Sequence, residues 1–177
     1  MRRLLPFVLA VLAAVALGAC GSDEGDPAAE TTQAKSTEQP SPARQREALE
    51  DIAARPHIPK PTGSPPRRLE KEDLVKGKGP PAKPGDTLTV NYVGVTFSTG
   101  EEFDASWDRG QPFQFVLGRG DVIPGWDRGM AGMRKNGRRM LTIPPELAYG
   151  RTGSPPLIGP NETLVFVVDL IALKPGG

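Results

Sequence analysis

Apolar and polar positions alternate with a two-residue period from Thr87 to Phe97, and Leu88, Val90, Tyr92 and Gly94 share one face of the resulting strand. Ser98-Thr99-Gly100 reads as a hairpin turn, and Glu101 to Ala105 leads back. Phe113, Phe115 and Leu117 again fall on one face, before Gly118-Arg119-Gly120 turns the chain. The period then changes. Pro124 suits the first turn of a helix, and Trp126, Met130 and Met133 follow at i, i+4 and i+7. Gly125, Gly129 and Gly132 weaken that helix as a free-standing object, so its partners must pack closely. A curved sheet on one side and a ligand over the indole on the other meet that need. Gly137 closes the helical region and Arg138 to Ile143 is a strand. Thr163 to Leu173 is apolar on both faces, as a central strand is. With a weaker strand over Arg67 to Lys76, the pattern predicts an α+β fold of five to six antiparallel strands and one short helix across them.

The first third of the chain has a different pattern. Arg2 and Arg3 precede an apolar run from Leu4 to Leu17, the form of a secretory signal over residues 1–19. The run ends in Leu17-Gly18-Ala19-Cys20, which resembles a bacterial lipobox; that resemblance implies lipidation of Cys20 after cleavage. Cys20 is the single cysteine, so the chain cannot form an internal disulfide. Residues 20–66 read as a tether rich in Pro, Ser and Glu. From Gly21 to Asp51 it carries eight acids and three bases. Within it Ser41 can cap a short helix that starts at Pro42, with only Leu49 and Ile52 as an apolar stripe. Five prolines from Arg55 to Pro66 return the chain to linker character. The lone His57 has no Cys, Asp or Glu at ligand spacing. The expected place of such a protein is the cell envelope, lipid-anchored on the outer side of the bacterial membrane.

Charge excludes one class of partner. The formal net charge is +1, and residues 67–177 hold fifteen bases and thirteen acids, so no basic groove for nucleic acid is expected. Those roughly 110 residues are enough for a real core. No Ser-His or metal-ligand constellation occurs in them, and no cofactor is expected. Arg119-Gly120-Asp121 spells an adhesion tripeptide but reads better as the turn before the helix. Asn161-Glu162-Thr163 fits a glycosylation sequon that carries little weight in a bacterial lipoprotein.

Eight short segments, in order, resemble the FKBP-type peptidyl-prolyl isomerases over about Leu69 to Leu173. They are Val90-Asn91-Tyr92-Val93-Gly94, Phe103-Asp104-Ala105-Ser106, Pro112-Phe113-Gln114-Phe115, Val116-Leu117-Gly118, Val122-Ile123-Pro124-Gly125-Trp126, Leu141-Thr142-Ile143-Pro144, Ala148-Tyr149-Gly150 and Leu164-Val165-Phe166. The resemblance implies a half-barrel of antiparallel strands around one short helix, in a domain spanning 67–177. It implies a pocket in which Trp126 is the floor under a prolyl ring, with Tyr92, Phe113 and Phe166 as walls and Phe103, Val122 and Ile123 as lining. The Ile123 N–H and the Tyr149 hydroxyl would donate to a bound peptide or macrolide. Asp104, Tyr149, Phe166 and Tyr92 would be the catalytic set.

A carboxylate between Phe103 and Ala105 would ordinarily be a solvated turn residue. The resemblance implies instead a partly buried Asp104 supported by Arg109 and by the Tyr92 hydroxyl. The segment Arg151 to Glu162 corresponds to the family's flap. Its Ser154 and Pro155-Pro156 depart from the His and Pro-Gly common there, which bears on substrate preference. Leu157 and Ile158 would be substrate contacts, with loop packing as the alternative. The partners implied are proline-containing polypeptides and macrolides, and the protein would act as a monomer. Two rival readings use the same residues: a non-catalytic binding module or holdase, and a structural lipoprotein whose aromatics are merely core.

Overall fold

A computed structural model describes residues 41–176. The signal segment, Cys20 and the tether up to residue 40 lie outside the described residues. Eight regular elements follow in order: α1 (Pro42–Glu50), β1 (Glu70–Val75), β2 (Thr87–Thr96), β3 (Glu102–Ala105), β4 (Phe113–Val116), α2 (Pro124–Met130), β5 (Gly137–Ile143) and β6 (Leu164–Lys174). Single 3₁₀ turns at Trp107–Arg109 and Pro145–Leu147 complete the secondary structure.

The six strands form one antiparallel sheet in the order β1-β5-β6-β2-β3, with β4 also paired to β2. The predicted fold class is the observed one. The apolar run of β6 pairs with β2 along one edge and with β5 along the other, which is why both of its faces are apolar. Strand β2 is long enough to share its second edge: Thr87 to Val90 pair with β4, and Val93 to Val95 pair with β3. Ser41 caps α1 by accepting from the Arg44 N–H, with Pro42 at the first helical position as expected.

Alternation sends side chains to two separate cores. On the concave face Leu88, Val90, Leu141, Ile143, Leu164, Val168 and Leu170 surround Trp126 and Met130 of α2. The helix is shorter than its apolar period suggests. Regular structure stops at Met130, and Met133 reaches the same core from the turn that follows. Contact with β5 is unusually close. A Cβ on Gly125 would lie 2.3 Å from Ile143 Cγ2, and one on Gly129 would lie 2.8 Å from Leu141 Cδ1.

On the convex face Val93, Val95, Ala105, Val165 and Val167 are covered by Leu49 and Ile58. The short helix lies where Ser41 and Pro42 allow one, but the expectation of a thin, marginal stripe and of linker character from Arg55 does not hold as far as Ile58. Residues 42–58 are instead a strap packed on the sheet, and their anchor is Arg138. Its guanidinium, 0% exposed, makes a bidentate pair with Asp169 at 2.5 and 2.7 Å. The remaining N–H groups donate to the carbonyls of Leu49, Asp51 and Ala54 at 2.8–2.9 Å. Arg139, pointing to the other face, pairs with Asp73 and donates to the carbonyls of Gly129 and Ala131. Two adjacent arginines thus each satisfy the orphan carbonyls at the end of one helix, on opposite sides of the sheet.

The glycine contacts give the first test. Gly125→Ala should lower unfolding free energy by about 1–2 kcal/mol, because overpacking against Ile143 exceeds the roughly 1 kcal/mol gained in helix propensity. Urea denaturation measures it. An unchanged or raised midpoint would mean that α2 can back away from the sheet at no cost.

Candidate functional site

Along the concave face, the N-terminal end of α2, the middle of β2 and β6, the β3 edge and the segment after the Pro145–Leu147 turn enclose a cavity of about 370 Å³. Its lining is Tyr92, Phe103, Asp104, Phe113, Asp121, Val122, Ile123, Trp126, Tyr149 and Phe166. Each element contributes by its own geometry. Tyr92 and Phe166 point inward from neighbouring strands by alternation, and Trp126 sits one turn into α2 against the glycine-lined contact with β5.

The rings meet edge to face, the arrangement their quadrupoles favour. Trp126 is 5.0 Å from Tyr92 at 85° and 5.3 Å from Phe166 at 84°. Phe103 meets Phe166 at 5.4 Å and 89°. Gly94 makes that last contact possible: a Cβ there would lie 2.7 Å from Phe166 Cε1 and 2.8 Å from Phe103 Cζ. The Trp126 Nε1 is buried with no acceptor among the described residues, so packing against the neighbouring rings and the aliphatic core holds the indole at the base of the cavity.

One wall is polar. The Tyr92 hydroxyl donates to Asp104 Oδ2 in a short hydrogen bond. Arg109 Nη1 lies 2.5 Å from Asp104 Oδ1, its Nη2 donates to the Tyr92 hydroxyl at 2.6 Å, and its Cζ stands 5.5 Å from the centre of the Tyr92 ring. Asp104 is therefore half-buried and charge-paired on one side of the cavity. Arg109 reaches it because the 3₁₀ turn Trp107–Arg109 folds the chain back within five residues. Burial, and then the bond to Asp104, push the Tyr92 phenol up to about 12. Burial and the Asp104 charge raise Tyr149 as well. Both phenols are neutral donors at physiological pH.

Two of the lining residues carry donors without protein partners among the described residues. The Ile123 N–H, at the N-cap of α2, makes no hydrogen bond among the described residues. The Tyr149 hydroxyl likewise makes none, and that residue is 41% exposed at the rim. The site can therefore take an apolar ring over an indole and two hydrogen-bond acceptors above it. Of its two carboxylates, the half-buried Asp104 is paired with Arg109 and Asp121 is exposed to solvent. Among the described residues, no three His, Cys, Asp or Glu side chains group as a metal site.

Nine of the residues named from the sequence, Tyr92, Phe103, Asp104, Phe113, Val122, Ile123, Trp126, Tyr149 and Phe166, line this one cavity, and Arg109 supports it from behind. Leu157 and Ile158 do not line it. Ile158 is 5% exposed and packs in the concave core, while Leu157 is 63% exposed on the flap. The alternative of loop packing holds for Ile158. Its backbone explains this, since Ser154 and Ile158 bond to each other's main chain and fold the flap tip inward. Asp121 is the lining residue the sequence reading missed. Arg119-Gly120-Asp121 reads as the turn before the helix, and the neighbouring Val122 is the available signal.

Tyr92 supplies a pH test. A tyrosine whose folded pKa lies above its unfolded value contributes stability that is complete below the unfolded value and is lost as pH rises through the folded one. The window therefore runs from pH 10.0 to about 12. In a Tyr149→Phe variant the single remaining phenol should ionise near the upper limit, followed by absorbance at 295 nm, while stability falls across the window. Phenolate formation centred at pH 10 in the folded protein would show that Tyr92 is neither desolvated nor bonded to Asp104.

Comparison with known proteins agrees with this geometry. The family model for FKBP-type peptidyl-prolyl cis-trans isomerase matches residues 79–171. An FK506-binding protein of Streptomyces anulatus is 55% identical over 120 residues, covering 67% of this chain and 97% of that one. FK506-binding protein 1 of Candida albicans is 50% identical, covering 52% of this chain and 83% of its own length. The crystal structure of AtFKBP13 superposes with a TM-score of 0.55 at 41% identity, covering 59% of this chain and 91% of that one. With the pocket assembled from the expected segments and the family model spanning more than half of the chain, the protein belongs to the FKBP-type peptidyl-prolyl cis-trans isomerases.

Proposed function

We propose that the cavity above Trp126 is the isomerase site of this protein, and that it serves polypeptides folding after export at the cell envelope. The observation that carries the site assignment is the pairing of an aromatic box with a fixed polar wall, Tyr92–Asp104–Arg109, beside two unpartnered donors. Family membership supports binding of X–Pro segments and of FK506-type macrolides in the same place.

The chemistry asks for little beyond this. Resonance gives the peptide C–N bond a rotation barrier of ~18–20 kcal/mol, so an X–Pro bond turns over unaided in tens to hundreds of seconds. Resonance also places negative charge on the amide oxygen, and water stabilises that planar form. A prolyl ring seated on Trp126 leaves the amide among Tyr92, Phe103, Phe113 and Phe166, where water is excluded. The twisted transition state loses less on desolvation than the planar ground state does. Asp104 adds a fixed field. Its carboxylate, held by two donors, disfavours the oxygen charge that resonance creates and twisting removes, with no reorganisation during the step. The Ile123 N–H and Tyr149 hydroxyl hold the flanking carbonyls and keep the ring in register.

The envelope role rests on the sequence before residue 41. The Arg2-Arg3 start, the apolar run from Leu4 to Leu17 and Leu17-Gly18-Ala19-Cys20 support export and lipidation at Cys20, with residues 21–40 as the connecting tether. Anchorage to the outer side of the membrane would set the isomerase domain among newly exported chains. Its prolyl substrates would then be unfolded segments, with the domain working as a monomer.

A protease-coupled assay on a short X–Pro peptide tests the site. Wild type should accelerate isomerisation, and FK506 should abolish the acceleration. Asp104→Leu should retain roughly a tenth of kcat/KM, equivalent to about 1.4 kcal/mol of transition-state stabilisation. FK506 binding without any acceleration would support the holdase reading instead, and neither rate nor binding would leave only the shared fold.

A further inference from the structure

The strap lies outside the stretch that the family model matches, and it ends beside the active site. Residues 42–58 dock on the convex face through Leu49, Ile58 and the three carbonyls taken by Arg138, of which the last is that of Ala54. The next residue is Arg55. Its guanidinium bridges two acids, with Nη1 at 2.6 Å from Asp108 Oδ1 and Nη2 at 2.5 Å from Glu102 Oε1. Those two acids bracket the polar wall of the cavity. Glu102 immediately precedes the lining pair Phe103-Asp104, and Asp108 immediately precedes Arg109.

The bracketed segment is anchored at its centre, where Ala105 packs in the convex core and the buried Ser106 is hydrogen-bonded to Tyr92 and Asn91, but its two ends have less support. β3 has four residues and lies at the edge of the sheet. Its ladder with β2 is interrupted where Gly94 pairs with Asp104 but Val95 pairs with Glu102, leaving Phe103 unpaired. After Ala105 the chain enters the single 3₁₀ turn that carries Arg109. The exposed ends of a short bulged edge strand and of the one turn that follows it are the parts that shift locally at low cost. Asp104 and Arg109 nevertheless have to keep their mutual geometry for the carboxylate to act as a fixed charge. One guanidinium bonded to both ends of the segment closes it into a loop of set span. That guanidinium is itself held by a backbone clamped to the buried Arg138–Asp169 pair.

We propose that Arg55 is a positioning residue for the isomerase site, holding Glu102 and Asp108 so that Asp104, Arg109 and Tyr92 stay in register. It acts through these acids and does not touch the cavity. Half-exposed ion pairs add little to global stability. The role is therefore local order, and its signature is a catalytic loss out of proportion to any change in folding. The proposal rests on the assignment of the cavity as the isomerase site.

The test compares Arg55→Ala, Arg55→Lys and Glu102→Gln/Asp108→Asn with wild type in the full chain, using an X–Pro tetrapeptide and separate kcat and KM values. Arg55→Ala should lower kcat roughly three- to tenfold with KM nearly unchanged, since the aromatic box is intact. Its melting temperature should move by no more than about 2 °C. Arg55→Lys should restore most of the rate. Adding Arg55→Ala to the double acid variant should cause no further loss, because both changes break one interaction. A kcat for Arg55→Ala within about 1.5-fold of wild type, or losses that multiply when combined, would overturn the proposal. So would a loss that lysine does not rescue and that comes with a fall of more than about 5 °C in melting temperature, since Arg55 would then be merely structural. An inactive wild type would remove the isomerase-site reading and this proposal with it. An active wild type with an unaffected Arg55→Ala would remove only the role of Arg55.

Discussion

A helix can lie directly on a strand only where it presents no side chains to it, and α2 meets β5 through Gly125 and Gly129 against Ile143 and Leu141. Everything on the concave face follows from that distance. It sets the depth of Trp126, which is one residue from Gly125, and therefore the level of the cavity floor. With bulkier residues at the contact the helix would ride higher, and the indole would fill the space that the cavity occupies. The helix cost of two glycines is offset by the apolar surface that close packing removes from water.

The same constraint creates an electrostatic one. A seven-residue helix pressed into a core has most of its carbonyls at or near an end, where no intrahelical donor reaches them. Arg139 supplies donors at Gly129 and Ala131, and Arg138 does the same for α1 on the other face. Buried ion pairs add little net stability, since desolvation consumes most of the Coulomb gain. What Arg138 and Arg139 contribute is placement: a misdocked helix would leave a buried guanidinium with unused donors. For Asp169 the balance is visible in its carboxyl, which burial pushes upward although Arg138 opposes the shift. The acidic, proline-rich sequence around α1 thereby becomes an ordered strap in spite of its composition.

At the site, apolar and charged parts are kept separate. Rings meet edge to face over the floor, the half-buried Asp104 carboxylate is paired with Arg109 and bonded to Tyr92 behind it, and the other lining carboxylate, Asp121, is exposed to solvent. Such a cavity can strip water from an amide without first having to strip it from the half-buried Asp104 carboxylate, whose partners are already in place. That division suits a reaction whose barrier is resonance rather than a bond to be broken.

Alternation, helical period and proline and glycine positions were sufficient for the strands, for α2 and for the fold class, because each is a property of neighbouring residues. Cavity residues were legible for a different reason: short segments around Tyr92, Asp104, Trp126, Tyr149 and Phe166 resemble a known family, and the packed sheet brings those segments together. Other features had no local signature. Arg138 meets Leu49 across 89 residues, so nothing near either residue announces the clamp that orders the strap. Ile158 and Leu157 are adjacent apolar flap residues, and only the flap's own main-chain bonds send one into the core and the other to solvent. Sequence alone determined which elements form and which chemistry the chain carries, since local sterics and hydrophobic period act over a few residues. Tertiary structure alone decided where the strap docks, how deep the indole lies and which flap residue is buried, because those depend on partners distant in the chain.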